Sequence, residues 1–60
     1  MVYVDVIFNG DKQVTTTKEF QTPIMALRFM YMCRRKNHLI MSYRADDPFD
    51  YQWLERRFRL

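Results

Sequence analysis

Four apolar side chains alternate with other residues at the start of the chain, and this pattern constrains the fold more than any other feature. They are Val2, Val4, Val6 and Phe8. Alternation with a period of two predicts a β-strand that turns one face toward a core. Asn9-Gly10 follows, and this dipeptide is the strongest short-range signal for a hairpin. A second strand is therefore expected to return antiparallel to the first.

Residues 12–20 form the predicted return strand, and the length of the connection decides which of its side chains face the core. A two-residue loop at Asn9-Gly10 would turn Val14 away from the valine side of the first strand. A three- or five-residue loop places Val14, Thr16 and Phe20 on that side instead. We expect the longer loop, because a slip of one residue turns every side chain over.

A helix is predicted next, with Thr22-Pro23 supplying its N-cap and first position. It would run from residue 23 to about residue 36 and end near Asn37-His38. One side carries the expected core residues, namely Ala26, Phe29, Met30 and Cys33. Arg28 and Arg35 form the only polar stripe, so apolar residues cover far more than the stripe of about 100° that a surface helix needs. Either the sheet wraps this helix broadly, or part of the helix contacts another chain.

Residues 39–45 alternate again and predict a third strand. The side chains expected on one side of it are Leu39, Met41 and Tyr43. The last segment, residues 51–60, is ambiguous: Asp47-Pro48 would cap a helix there, but that helix would divide its apolar residues between opposite faces. A strand that forms a hairpin with residues 39–45 is the preferred interpretation. The predicted fold is then α+β with the order ββαββ, a small antiparallel sheet with one helix packed on one face, in a single domain that spans the chain.

Size and composition indicate a small soluble protein. Sixty residues make one domain, but a chain of this size buries only about 60% of its unfolded surface on folding. Its hydrophobic content of 48% is too high for a disordered chain. Cys33 is the only cysteine, which excludes an internal disulfide and suits a reducing cytoplasm. With no signal-peptide pattern and no apolar run long enough for a membrane span, we expect a cytoplasmic location.

The sequence shows no pattern of catalytic or metal-binding residues. Cys33 and His38 are five positions apart, about 140° around a helix, so a nucleophile pair is not expected. Asp46, Asp47 and Asp50 lack the glycine and the closing glutamate of a calcium loop, and turn chemistry explains them. A single glycine in the chain excludes glycine-rich phosphate loops. We expect neither an enzyme nor a cofactor or metal.

Positive charge is concentrated in residues 20–45, which contain no acidic residue. The cations there are Arg28, Arg34, Arg35, Lys36 and Arg44. The net charge of +3 arises in this segment, and such charge fits a nucleic-acid partner. The candidate contacts for nucleic acid are Arg34, Arg35, Lys36 and Arg57. A helix C-terminus also favours cations in its last turn, which accounts for part of the cluster without any ligand.

A protein partner is the other interpretation of the same segment. Methionine, aromatic residues and arginine are enriched in the cores of protein interfaces. The predicted helix combines these types in Met25, Tyr31 and Met32, next to its arginines. A second copy of the chain is one partner that such a surface would fit.

Several segments, taken in order, resemble a known family. They are residues 4–10 (VDVIFNG), residues 17–20 (TKEF), a predicted helix that ends near an asparagine, and Asp46-Asp47 after a strand. The sequence resembles Dmd, the antitoxin of T-even-type bacteriophages. The resemblance implies a non-catalytic phage protein in the host cytoplasm that binds a host endoribonuclease toxin of the RnlA/LsoA type. By blocking the active groove, it would stop the toxin from degrading phage messenger RNA.

The resemblance also implies contact residues, because the family uses an aromatic residue in the middle of its helix and an asparagine at the helix end. These positions correspond to Phe29 and to Asn37 or His38. The full set of expected partner-binding residues is Arg28, Phe29, Met32, Arg35, Asn37, His38, Asp46 and Asp47. A groove that holds RNA is positive and repels a positive inhibitor. We therefore expect either a contact through apolar and acidic parts such as Asp46, Asp47 and Asp50, or a different target.

Overall fold

The chain folds into a three-stranded antiparallel sheet and two helices in a computed structural model that describes residues 1–8 and 14–58. In chain order the elements are β1 (Val2–Ile7), β2 (Thr16–Phe20), α1 (Pro23–Arg35), β3 (Leu39–Ala45) and α2 (Pro48–Arg57). The fold is α+β, as predicted, and its order is ββαβα.

β1 is the central strand of the sheet, with β2 on one side and β3 on the other, both antiparallel to it. Phe20 pairs with Val2, and Thr16 pairs with Val6. Residues paired across a sheet point to the same face, so Thr16 and Phe20 lie on the valine side. This part of the predicted register is confirmed.

β2 is shorter than the return strand predicted for residues 12–20. It begins at Thr16, so Val14 precedes the strand and is exposed. The predicted hairpin turn at Asn9-Gly10 lies outside the described residues.

β3 carries a bulge, and the simple alternation expected for this strand is wrong. Val4 pairs with Tyr43 but Val6 pairs with Ile40, which leaves Met41 as an extra residue without a partner in β1. One extra residue moves the side chains beyond it to the other face of the sheet. Ile40 and Tyr43 can therefore both pack against the core.

α1 begins and ends where the sequence predicts. The Thr22 hydroxyl accepts a hydrogen bond from a backbone N–H of the first turn at 3.4 Å. At the other end Asn37 adopts a left-handed conformation with a φ angle of 61°. The His38 N–H donates to the carbonyl of Cys33 at 2.8 Å, which is the longer-range bond of a Schellman motif. Asparagine tolerates this backbone conformation better than most residues, so it stops the helix here.

The last element is a helix, so the preference for a strand over residues 51–60 is wrong. The Asp47 carboxylate caps α2 by accepting a hydrogen bond from the Phe49 N–H at 2.9 Å. Apolar residues on two faces do not prevent the helix, because only one face is buried. Leu54 is fully buried and Phe58 nearly so, whereas Phe49 is 78% exposed. The sheet consequently carries two helices rather than the single helix expected.

Both helices pack on the valine side of the sheet and enclose the core there. The core cluster contains Val2, Val4, Ala26, Met30, Leu54 and Phe58. Cys33 is also fully buried, as predicted, and burial raises the pKa of its thiol. The described residues form no layer on the other side of the sheet, which is termed the open face.

Candidate binding surfaces

The two helices run in the same direction along the sheet. α1 begins after Phe20, at the end of the sheet where Val2 lies. It finishes before Leu39, at the end where Ile7 lies. α2 also begins at the Val2 end, where the Asp46 N–H donates to the carbonyl of the first residue at 3.1 Å.

α2 ends beside the last two turns of α1. The Tyr31 hydroxyl donates a hydrogen bond to the carbonyl of Arg57 at 3.3 Å. The ring centroids of Tyr31 and Phe58 are 5.7 Å apart, and the Arg34 guanidinium lies 4.3 Å from the Phe58 centroid. The C-termini of both helices therefore lie close together, although they are distant in the sequence.

This arrangement separates positive from negative charge. The C-termini of the helices form the basic end, which consists of Arg34, Arg35, Lys36, Arg56 and Arg57. The start of α2 forms the acidic end, which consists of Asp46, Asp47, Phe49 and Asp50. The 13 residues of α1 span about 20 Å between the two ends of the sheet. Helix dipoles favour both placements, since they attract carboxylates to a helix start and cations to a helix end.

The acidic end presents an aromatic ring to solvent. Phe49, at 78% exposure, is the most exposed large hydrophobic side chain of the described residues. It is flanked in sequence by the helix cap Asp47 and by Asp50. Asp46 lies 3.4 Å from the N-terminal ammonium group and accepts a hydrogen bond from the Tyr3 hydroxyl, yet its side chain stays 67% exposed. An exposed ring among carboxylates is a suitable anchor for a partner that is both apolar and positively charged.

α1 has an apolar outer side. Ile24 is 51% exposed, Met25 is 49% exposed and Tyr31 is 41% exposed. Arg28 and Arg35 are exposed between them, as predicted. The sheet does not wrap the helix broadly, so this side remains available for contact with another chain.

The expected partner-binding residues are distributed over several parts of the molecule. Arg28, Met32 and Arg35 lie on the outer side of α1 or along its flank. Phe29 is half-buried, with its ring centroid 5.3 Å from that of Phe20 and 6.3 Å from that of Phe8. These contacts give Phe29 a place in the packing between α1 and the sheet.

The remaining expected residues lie at opposite ends of the molecule. Asn37 is exposed at the end of α1, and the His38 ring packs against Phe8 with centroids 5.0 Å apart. Asp46 and Asp47 lie at the acidic end instead. One partner of ordinary size would therefore contact either the Asn37 region or the acidic end first.

The open face contains a polar cluster that sequence reasoning missed. The Asp5 carboxylate accepts hydrogen bonds from the hydroxyls of Thr17 at 2.6 Å and Ser42 at 2.7 Å, and from the Arg44 guanidinium at 2.7 Å. These bonds, that from Thr17 foremost, lower the pKa of Asp5. Each strand of the sheet supplies part of the cluster, and the Arg44 guanidinium also lies 5.1 Å from the Tyr3 ring centroid. The only signal in the sequence was a carboxylate within a strand of valines.

Residues 1–8 and 14–58 contain neither a cluster of metal ligands nor a membrane-spanning helix. No three side chains of histidine, cysteine, aspartate or glutamate are grouped there closely enough to hold a metal ion. Neither described helix has the length and apolar character needed to cross a membrane.

Comparisons of the chain with protein-family models, with curated proteins and with solved structures found no match. The likeness to Dmd therefore rests on the sequence segments themselves, chiefly residues 4–10 and 17–20.

Proposed function

We propose that this chain is a non-catalytic binding protein of the phage antitoxin type, which acts in the host cytoplasm. Its partner is an endoribonuclease toxin, and it inhibits the toxin by occupying the groove that holds RNA. The acidic end is the part that enters the groove, with Phe49 as its apolar anchor.

The exposure of Phe49 is the observation that carries this proposal. A phenylalanine that is 78% exposed contributes little to the core, so its apolar area is available to a partner. Aromatic side chains that fill a pocket at the centre of an interface contribute most of the binding energy in many complexes. Asp47 and Asp50, on either side of this ring in the sequence, add the negative charge that a groove for RNA attracts, whereas the N-terminal ammonium group balances the charge of Asp46.

The separation of charge within the molecule allows a chain with a net positive charge to bind a positive groove. The whole chain carries a net charge of +3, which a positive groove would repel. The basic end, however, lies at the other end of α2, whose 10 residues span about 15 Å. The Debye length at physiological ionic strength is about 8 Å, so solvent and salt largely screen the basic end from a partner at the acidic end.

The start of α1 exposes further apolar side chains at the same end of the sheet. Ile24 and Met25 lie in the first turn of α1, at the end of the sheet where α2 also begins, and both are about half exposed. Methionine adapts its shape to a partner at low cost. These residues therefore provide further exposed apolar area at this end of the sheet, of the kind that interface cores use.

Co-expression with a growth-arresting toxin of the RnlA/LsoA type tests the proposal. The chain should restore growth and co-purify with the toxin. Asp50→Lys should abolish rescue, because it places a positive charge at the proposed contact. Glu55→Lys is the matched control, since it makes the same charge change on α2 away from the acidic end, and it should rescue like the original chain.

Thermal melting of both variants must accompany this test. Asp50 lies in the first turn of α2, where loss of its charge costs up to about 1 kcal/mol of stability through the helix dipole. A folded Asp50→Lys variant that still rescues growth would contradict the proposed contact surface. Failure of the unmodified chain to rescue or co-purify with any such toxin would contradict the proposed function itself.

A further inference from the structure

We propose that the basic end is a second binding site, which takes the phosphate backbone of a single-stranded nucleic acid. This site lies at the opposite end of the molecule from the proposed toxin contact and does not depend on it. The contacting groups are Arg34, Arg35, Lys36, Arg56 and Arg57.

The fold assembles this site from two segments that are distant in the chain. Arg34 and Arg35 close α1, and Arg56 and Arg57 close α2. The hydrogen bond from Tyr31 to the Arg57 carbonyl, at 3.3 Å, holds the two helix ends together. The sequence already predicted Arg57 as a contact together with the first cluster, and the helical state of the last element places Arg56 and Arg57 beside the end of α1.

The charge at this end exceeds what the helix ends require. Each helix C-terminus carries a partial charge of about −0.5, so the two together balance about one cation. Glu55 is the only acidic residue in the second half of either helix. Five cations at the basic end therefore leave a net positive charge of roughly three after both effects.

None of these cations forms an ion pair within residues 1–8 and 14–58. The two ion pairs found there join Asp5 to Arg44 and Asp46 to the N-terminal ammonium group. Both pairs lie away from the basic end. The cations of the basic end are thus available to an external anion, and arginine binds phosphate, like carboxylate, with two parallel hydrogen bonds.

Two of the arginines are already held in place by aromatic rings. The Arg34 guanidinium lies 4.3 Å from the Phe58 centroid, and the Arg57 guanidinium lies 4.1 Å from the Trp53 centroid. Arg57 also donates to the Trp53 carbonyl at 3.3 Å. Stacking fixes the plane of a guanidinium while leaving most of its N–H groups at the edge, which reduces the entropy lost on binding phosphate.

An exposed ring lies beside these arginines and favours a single strand over a duplex. Tyr31 is 41% exposed, and its ring centroid lies 6.0 Å from the Arg34 guanidinium. Single strands offer unstacked bases that pack on such rings, whereas the bases of a duplex are already stacked. A cationic surface with one ring fits backbone binding with little sequence preference.

Fluorescence anisotropy with labelled 12-nucleotide oligo-uridylate and oligo-thymidylate provides the test. Contact with about three to four phosphates predicts a log–log salt slope of about −2 to −3, since a single strand contributes roughly −0.7 per phosphate. Affinity should then fall roughly 20- to 50-fold between 50 and 200 mM salt. The oligo-uridylate and oligo-thymidylate arms together show whether RNA and DNA bind alike, and an oligo-glutamate peptide of equal charge shows whether any polyanion suffices.

The double variant Lys36→Gln/Arg56→Gln removes two cations that the structure shows in no ring contact or ion pair. It should reduce the magnitude of the salt slope by about 1.4. The matched control Lys18→Gln/Arg28→Gln removes the same charge elsewhere and should leave the slope within about 0.3 of the original. Melting curves of both variants show that each is folded.

Three results would overturn this site: no binding at 50 mM salt, equal binding of oligo-glutamate, or equal slopes for the two double variants. The outcome is separable from that for the toxin contact. Lys36→Gln/Arg56→Gln should still rescue growth, and Asp50→Lys should still bind the oligonucleotides.

Discussion

Truncation of Phe49 separates folding from binding more cleanly than any other single change. The side chain is 78% exposed, so Phe49→Ala gives up only the buried fifth of its area. Full burial of such a side chain contributes about 1.5–3 kcal/mol, so the expected loss of folding stability is roughly 0.5 kcal/mol. Alanine also has the higher helix propensity, which recovers a few tenths of a kcal/mol.

The expected effect on toxin binding is much larger. An aromatic anchor at the centre of an interface costs about 2–4 kcal/mol when truncated to alanine. That range corresponds to a Kd roughly 30- to 900-fold higher. Isothermal titration calorimetry of the purified chain with a catalytically inactive toxin measures this change in Kd. A thermal melt of the purified chain alone measures the loss of folding stability.

Leu39→Ala is the control for this experiment. Leu39 is 58% exposed and lies at the Ile7 end of the sheet, away from the acidic end. It removes exposed apolar area without touching the proposed contact, so its Kd should stay within about threefold of the original, under 0.7 kcal/mol. A Phe49→Ala variant that binds as tightly as Leu39→Ala would refute the reasoning.

Three further predictions concern the fold that positions these surfaces. Asp5→Asn should destabilise the chain by about 1–3 kcal/mol at pH 7, because it weakens hydrogen bonds to a charged group. Since the folded state lowers the pKa of Asp5, the carboxylate's contribution is complete above the unfolded pKa of about 3.9 and is lost as pH falls through the lower folded value. Urea melts should therefore show a constant gap between Asp5→Asn and the original chain from pH 7 to about 5, and a shrinking gap below about 4. Leu54→Ala should cost about 2–5 kcal/mol in the same assay, because Leu54 is fully buried; a cost under about 1 kcal/mol would mean that α2 does not close the core. Asn37→Gly should stabilise slightly, by up to about 1 kcal/mol, since glycine adopts the left-handed conformation without strain; a clear loss would contradict the observed helix end.

Elements with local signals could be predicted from the sequence. β1 follows from its alternating valines, and α1 follows from the Thr22 cap at its start and Asn37 at its end. Each of these signals acts within a few residues, so the backbone obeys it whatever lies elsewhere in the chain. The placement of Cys33 in the core follows from the same helical periodicity.

Features that depend on long-range packing could not be predicted in this way. α2 forms because Leu54 and Phe58 find a core already lined by α1 and β3, and the Tyr43 hydroxyl donates to the Phe58 carbonyl at 3.1 Å. The bulge at Met41 likewise depends on how β3 aligns with β1. Periodicity within each segment carries no information about either contact.

The candidate surfaces, like the fold, could be predicted from the sequence only where the signal was local. Exposure of Arg28 and Arg35 followed from the helical wheel. The opposition of an acidic and a basic end did not, because it requires knowing that α1 and α2 are parallel. The Asp5 cluster also needed the order of the strands, since Thr17 and Ser42 lie on opposite sides of β1.

Steady-state inhibition kinetics with a purified RnlA/LsoA-type toxin and a short RNA substrate test the central claim most directly. If the acidic end occupies the RNA groove, increasing concentrations of the chain should raise the apparent KM for RNA while leaving kcat unchanged, with one chain bound per active site. A fall in kcat at constant KM would show that the chain binds away from the groove. An unchanged rate at concentrations well above that of the toxin would contradict the account altogether.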